Sequence, residues 1–263
     1  MEVSWPRADP AGTGASRTGP AGAGPHPDTQ ALTAALRHEA EQLFLEGARR
    51  VQLCVDAADR SGRSAALRAG FRQEGLRRSA WARSDGTFGD ALDFARLAHD
   101  DVAGPGSFSA VMNSALPRKR VIAHVLFRDD ADRVLLCETT FKIDWELPGG
   151  IVEPLEPPRV GAEREIVEEL GVPLPVGRLL VCDWMPPYLG WEDAVELIFD
   201  GGRLDEESLD TFELGSFEIV QTRFCTLEEA GALLTPLARR RLALACTVAD
   251  GASPTYTEDG RTV

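Results

Sequence analysis

Glu165, Glu168 and Glu169 stand at positions i, i+3 and i+4, so a helix through them would gather three carboxylates on one face. Like charges at this spacing destabilise a helix by about 0.2–0.5 kcal/mol per pair, which makes such a cluster either a cation site or a solvated face. Carboxylate oxygens are hard donors that suit Mg²⁺ or Mn²⁺, ions that keep waters and share their coordination with substrate phosphates. A diphosphate close to carboxylates is a poor electrophile until an ion neutralises its oxygens and positions a water. Taken alone, such a run is more often a solvated face; holding a cation, it would suit metal-assisted hydrolysis of a phosphoanhydride.

The glutamates belong to a longer pattern. Gly150 to Val172 reads GIVEPLEPPRVGAEREIVEELGV and follows the spacing G-x5-E-x7-R-E-U-x-E-E-x-G-U, where U is a bulky apolar residue. Gly150, Glu156, Arg164, Glu165, Ile166, Glu168, Glu169, Gly171 and Val172 fill every fixed position. A chance match has odds on the order of 10⁻⁷ in one chain, which decides for the cation site over the solvated face. The pattern resembles the box of the Nudix hydrolases, which cleave nucleoside diphosphates linked to another moiety. The resemblance implies that Glu165, Glu168, Glu169 and the Gly149 carbonyl hold Mg²⁺ (or Mn²⁺), and that Glu165 orients or deprotonates the attacking water. It also implies that Arg164 reaches back to Glu156 as a brace, that Glu153 or Glu156 adds an outer contact, and that an acid outside the box completes the site. Glu218 is the candidate for that acid, with Glu213 behind it. The partner would be a small nucleoside diphosphate-type substrate.

Positioning these groups requires a particular set of elements. Pro157 and Pro158 fall where a helix would begin and Gly171 where a left-handed cap would end it. Val160, Val167 and Leu170 predict one stripe of that helix against a sheet. Gly149-Gly150 allows a tight turn and a close backbone approach. Val121–Phe127 reads as a buried strand, and Arg133–Cys137, Arg178–Trp184, Ala194–Phe199 and Phe217–Cys225 read as further strands. Thr226-Leu227-Glu228-Glu229 is a capping box, and Thr235-Pro236 opens a last helix on which Arg239–Arg241 reads as a solvated face. His124, inside an apolar run, reads as a satisfied sheet histidine. The loop Met185–Trp191 could stack a base or simply pack onto its domain. The fold class expected is α+β: an α/β/α sandwich with a mixed sheet over residues 118–250, followed by a loosely held tail over 251–263.

Upstream, residues 1–27 are rich in Gly, Ala, Pro, Ser and Thr and predict disorder, and 102–117 reads as a linker by its Gly, Pro and Ser content. Between them, residues 28–101 read as a helix over Ala31–Glu46, a strand at Arg50–Val55 and a helix from Ser61 to Ala69. Their wording, VQLCVDAADRSGRSAALRAGFRQEGLRR, resembles the C-terminal half of GNAT acetyltransferases. That family cradles acetyl-CoA pyrophosphate on a glycine-bearing loop; in the best candidate here, Gln30–Ala35, Thr33 takes the glycine's place. This segment is expected to be a residual or regulatory module. Two alternatives stay open for the chain: nucleotide sensing without turnover, and an acetyltransferase fused to a hydrolase.

Composition sets the outer bounds. The 263 residues carry a formal charge of −14, which argues against polymeric nucleic acid as the partner. Small phosphorylated ligands escape that objection, because metal and local basic groups neutralise them. Cys54, Cys137, Cys182, Cys225 and Cys246 are odd in number and never in C-x-x-C spacing, so they read as small apolar residues in a reducing compartment. No apolar run reaches membrane-spanning length and no secretory h-region opens the chain. The expectation is a cytoplasmic enzyme without membrane contact, with a homodimer left open.

Overall fold

The computed structural model describes residues 3–4, 29–215 and 218–263; most of the stretch read as a disordered tail, and Phe217, lie outside them. The chain divides into two compact units, residues 1–117 and 118–263.

The first unit holds β1 (Val3–Ser4), α1 (Thr29–Leu45), β2 (Arg50–Asp56), α2 (Arg60–Arg68), β3 (Arg72–Ala82), β4 (Phe88–Leu97) and α3 (Pro105–Ala115). Its sheet runs in the order β1-β2-β4-β3, antiparallel except for β1 beside β2. Val51, Leu53 and Val55 alternate inward along β2 and meet Ala66, Ala69, Phe71 and Phe94, the period-two burial of a sheet covered on one face. Asp59 caps α2 by accepting from the Gly62 N–H at 2.9 Å. Gln30–Ala35, the candidate pyrophosphate loop, lies inside α1, where the Thr33 hydroxyl donates to the Thr29 carbonyl at 2.7 Å. The stretch read as a linker is mostly α3. Its Gly and Ser residues fill the helix rather than break it, Pro105 stands in the first turn, and Ser114 Oγ accepts from the Gln73 N–H of β3 at 2.9 Å.

The second unit holds β5 (Arg120–Arg128), β6 (Val134–Thr139), β7 (Gly149–Ile151), α4 (Pro158–Leu170), β8 (Leu179–Met185), β9 (Ala194–Arg203), a 3₁₀ turn at Glu206–Thr211, β10 (Ile219–Cys225), α5 (Leu227–Leu233), α6 (Pro236–Ala249), β11 (Thr255–Glu258) and β12 (Arg261–Thr262). The mixed sheet runs β10-β6-β5-β9-β8-β11-β12, with β7 also on β5. Ala123, Val125 and Phe127 of β5 face α4 through Ala162, Ile166 and Leu170. Leu126, with Leu180 and Ile198, faces α5 and α6 through Leu234, Leu242 and Ala245. The expected α/β/α layering with a mixed sheet follows from β5 being apolar on both faces. No helix among the described residues is long and apolar enough to cross a membrane.

Three expectations for this unit are corrected. The buried face of α4 is Gly161, Ala162, Ile166, Glu169 and Leu170; Val160 and Val167 are exposed, because the small residues, not the valines, let the helix approach the sheet. Residues 251–263 are a strand pair: β11 runs parallel to β8, and an Asp259-Gly260 turn with positive φ at both residues folds β12 back on it. Arg241 is buried, not solvated. It shares the inward face of α6 with Ala245 and Val248 and lies 2.7 Å from Glu196 and 3.3 Å from Asp183.

Candidate active site

The site is built where β7 pairs antiparallel with β5 and α4 packs against both. Gly149 has φ +130, and a Cβ there would stand 2.2 Å from the Ala123 carbonyl oxygen, so only glycine permits the pairing of Gly149 with His124. A Cβ on Gly150 would meet the Glu165 carboxyl at 2.7–2.9 Å, so the second glycine makes room for that side chain. Pro157 and Pro158 start α4 and Gly171, at φ +73, ends it, which fixes the three glutamates relative to the glycine turn.

Glu169 is 4% exposed and accepts from the Gly149 N–H at 2.8 Å. Burial pushes its carboxyl up to about 8, against the Gly149 hydrogen bond and the nearby His124 charge. Glu165 is half-buried, and burial raises its basicity too, although Arg164 pulls the other way. Glu168, the more exposed of the three, lies 2.8 Å from Arg164. Arg164 is the organiser: it reaches Glu156 at 3.0 Å, Glu165 at 3.0 Å and the Ile151 carbonyl at 3.1 Å. Hydrogen bonding to Glu156, first of all, holds its guanidinium firmly protonated. Glu156 also accepts from the Glu153 N–H at 3.0 Å, so it braces the loop and has little left for an outer metal contact. Glu218 stands in the turn before β10, and its charge is felt at Glu165. Glu213 stands at the C-terminal end of α4, where its N–H donates to the Leu170 carbonyl at 2.9 Å beside Gly171.

The carboxylates do not converge on one point: among the described residues no three His, Cys, Asp or Glu side chains form a ready ion cage. The donor set nonetheless fits a hard divalent cation. Glu169 is a buried carboxylate with an amide but no cationic side chain hydrogen-bonded to it, and a charge so placed is unfavourable until a cation compensates it.

A second group of charges, not foreseen as a group from the sequence, lies next to Glu169. His124 Nδ1 is 3.0 Å from Glu196 and its Nε2 3.7 Å from Glu146. Burial opposes its charge, but Glu196 and Glu146 outweigh burial and bring the imidazole to about 9. Burial alone would also raise Glu196, yet Arg241 and His124 hold it below the usual carboxylate range. Asp183 takes Arg241 together with the Thr257 hydroxyl at 2.6 Å and the Gly260 N–H at 2.8 Å. The signal for this group was the spacing of Arg241 with Ala245 and Val248, which puts an arginine on a buried helix face.

Residues 117–245 match the family model described as the NUDIX domain, including the whole Gly150–Val172 segment. Among solved structures, a MutT protein from Methanosarcina mazei Go1 is 22% identical, covering 51% of this chain and 96% of its own, at a TM-score of 0.42. A UDP-X diphosphatase is 20% identical over 59% of this chain and 75% of its own, at 0.45. An ADP-ribose pyrophosphatase from Streptococcus suis 89-1591 is 17% identical over 54% and 99%, at 0.42. No curated protein matches the chain. The acetyltransferase resemblance of residues 28–101 gains no support from the family match, which begins at residue 117.

Proposed function

We propose that the chain, whose residues 117–245 match the NUDIX domain model, is a pyrophosphohydrolase that cleaves a diphosphate linkage in a small nucleoside diphosphate derivative, with Mg²⁺ or Mn²⁺. Glu168, Glu169 and the Gly149 carbonyl would hold the ion, with Glu165 at its edge. The ion supplies neutralisation of the diphosphate oxygens and a more acidic water. The chain's own residues do the rest. Glu165, kept basic by burial, takes the proton as the water oxygen bonds to phosphorus and the bridging P–O bond breaks, leaving two phosphate products. Arg164 fixes the Glu165 carboxylate and the loop after β7. Glu218 adds negative charge beside Glu165 and strengthens it as a base.

The observation that carries this reading is Glu169: a carboxylate buried against Gly149, at the one place in the turn where only glycine fits. The test is hydrolysis of nucleoside triphosphates, ADP-ribose, NADH and dinucleoside polyphosphates with Mg²⁺ or Mn²⁺. Turnover of at least one, lost in Glu169→Gln, is expected; a panel with no turnover above that variant refutes it. Arg164 bracketing Glu165 and Glu168 would also suit a domain that binds a nucleotide without cutting it. Tight binding by calorimetry without product would favour that second reading.

A further inference from the structure

The tip of the β8–β9 hairpin carries Tyr188, Leu189 and Trp191 at 66%, 82% and 61% exposure. The tip is well defined. Tyr188 and Trp191 exchange both backbone hydrogen bonds, at 3.1 and 2.9 Å, around Leu189 and Gly190, both at positive φ. A leucine in the left-handed region is disfavoured and offers no local hydrogen bond in return, so the turn spends backbone strain to present an apolar side chain. The base of the hairpin is bolted down. The Arg120 guanidinium lies 4.5 Å over the Trp191 ring and donates to the Glu192 carbonyl. Asp193 takes both Lys119 and the Trp184 indole N–H, the latter at 3.1 Å. One face of Trp191 is thus occupied by a cation, and the indole remains largely exposed.

Register gives the platform its meaning. Arg120 pairs with Ala194 at the foot of the hairpin, and His124, four residues along the same strand, pairs with Gly149. At a rise of about 3.3 Å per residue the platform stands roughly 13 Å along β5 from the candidate metal site. That is the scale of a nucleoside diphosphate measured from its base to its second phosphate. Aromatic faces backed by a guanidinium are what unpaired bases stack on.

We propose that Trp191, backed by Arg120 and flanked by Tyr188, is the stacking platform for the aromatic base of the substrate. The proposal rests on the diphosphate-cleaving reading above, so its test has an arm that does not need turnover. In the full chain, Trp191→Ala is compared with Trp191→Phe and wild type. The steady-state arm uses ADP-ribose and phosphoribosyl pyrophosphate, which has a diphosphate but no base; the binding arm measures ADP and inorganic pyrophosphate by equilibrium dialysis. Loss of one stacked base predicts a KM for ADP-ribose, and a Kd for ADP, raised roughly 5- to 150-fold in Trp191→Ala. Trp191→Phe should restore most of the loss, and the base-free ligands should be unaffected. Equal losses for ligands with and without a base, or unchanged ADP binding in Trp191→Ala, overturn the proposal. If wild type cleaves nothing, the hydrolase reading fails by itself and the dialysis arm still decides the platform.

Discussion

Glu169→Gln should separate the energetic burden of the site from its use. The unfolded carboxyl titrates near 4.5 and the folded one near 8. Below pH 4.5 both states are protonated and the burial carries no ionic penalty. Between 4.5 and 8 the unfolded chain ionises first, so rising pH favours unfolding by about 1.4 kcal/mol per unit. Above 8 both are ionised and the full difference, about 5 kcal/mol, stands against the metal-free fold. The amide of Gln keeps an acceptor for the Gly149 N–H and never ionises. In EDTA, the wild-type transition should therefore fall relative to the variant by on the order of 10 °C between pH 5 and pH 9. Saturating Mn²⁺ should reverse the sign: it binds the ionised carboxylate, stabilises wild type more as pH rises, and leaves the variant nearly unmoved. The assay is calorimetric melting over that pH range with and without metal, following the transition that Mn²⁺ shifts, because a chain of two units need not melt in one step. Parallel wild-type and variant curves in EDTA, or equal stabilisation of both by Mn²⁺, would refute the assignment of Glu169 as an uncompensated buried ligand.

Other substitutions test other parts of the unit. Glu165→Gln should lower kcat by about 10²–10⁴ with little change in KM, and flatten the acidic limb of the pH–rate profile, as measured by steady-state kinetics. Gly150→Ala should place a methyl against the Glu165 carboxyl and remove most activity while far-UV circular dichroism stays native. Deleting residues 251–263 removes the Thr257 and Gly260 donors to Asp183 and should cost about 3–5 kcal/mol in urea unfolding, the scale for a buried charge left short of partners. Arg241→Met, which removes the guanidinium shared by Glu196 and Asp183 in the core, should cost a similar amount, and Arg239→Met, on the exposed side of the same helix, less than about 0.5 kcal/mol.

Much of the site was legible because its parts are local. Pro157, Pro158 and Gly171 bound α4 by backbone chemistry alone, and the i, i+3, i+4 spacing needs nothing but a helix. The Thr226–Glu229 capping box and the strands expected for the second unit were equally local and stand within a residue or two of their expected ends, except β9, which runs four residues past Phe199 to Arg203. What escaped depended on contacts between distant segments. Val160 and Val167 follow a helical period, yet the sheet accepts the side of α4 with Gly161 and Ala162, since close approach there rewards small residues. Arg241 looked like one of three solvent-facing arginines until Glu196 and Asp183, some 45 and 58 positions earlier in the chain, supplied its partners. The last strand pair had a readable signal, Asp259-Gly260 between Thr255–Glu258 and Arg261–Thr262, that polar composition overshadowed.

The helix α3 bears on how the chain should be divided at the bench. A boundary drawn at residue 102, where glycines and prolines invite it, would remove α3 from the first unit and leave the Gln73 N–H without its serine oxygen. Low yield from such a fragment would be misread as interdependence of the units. A boundary at Pro117 keeps α3 with the β3 backbone that its Ser114 accepts from, so failure of the first piece to express would then be informative about that piece.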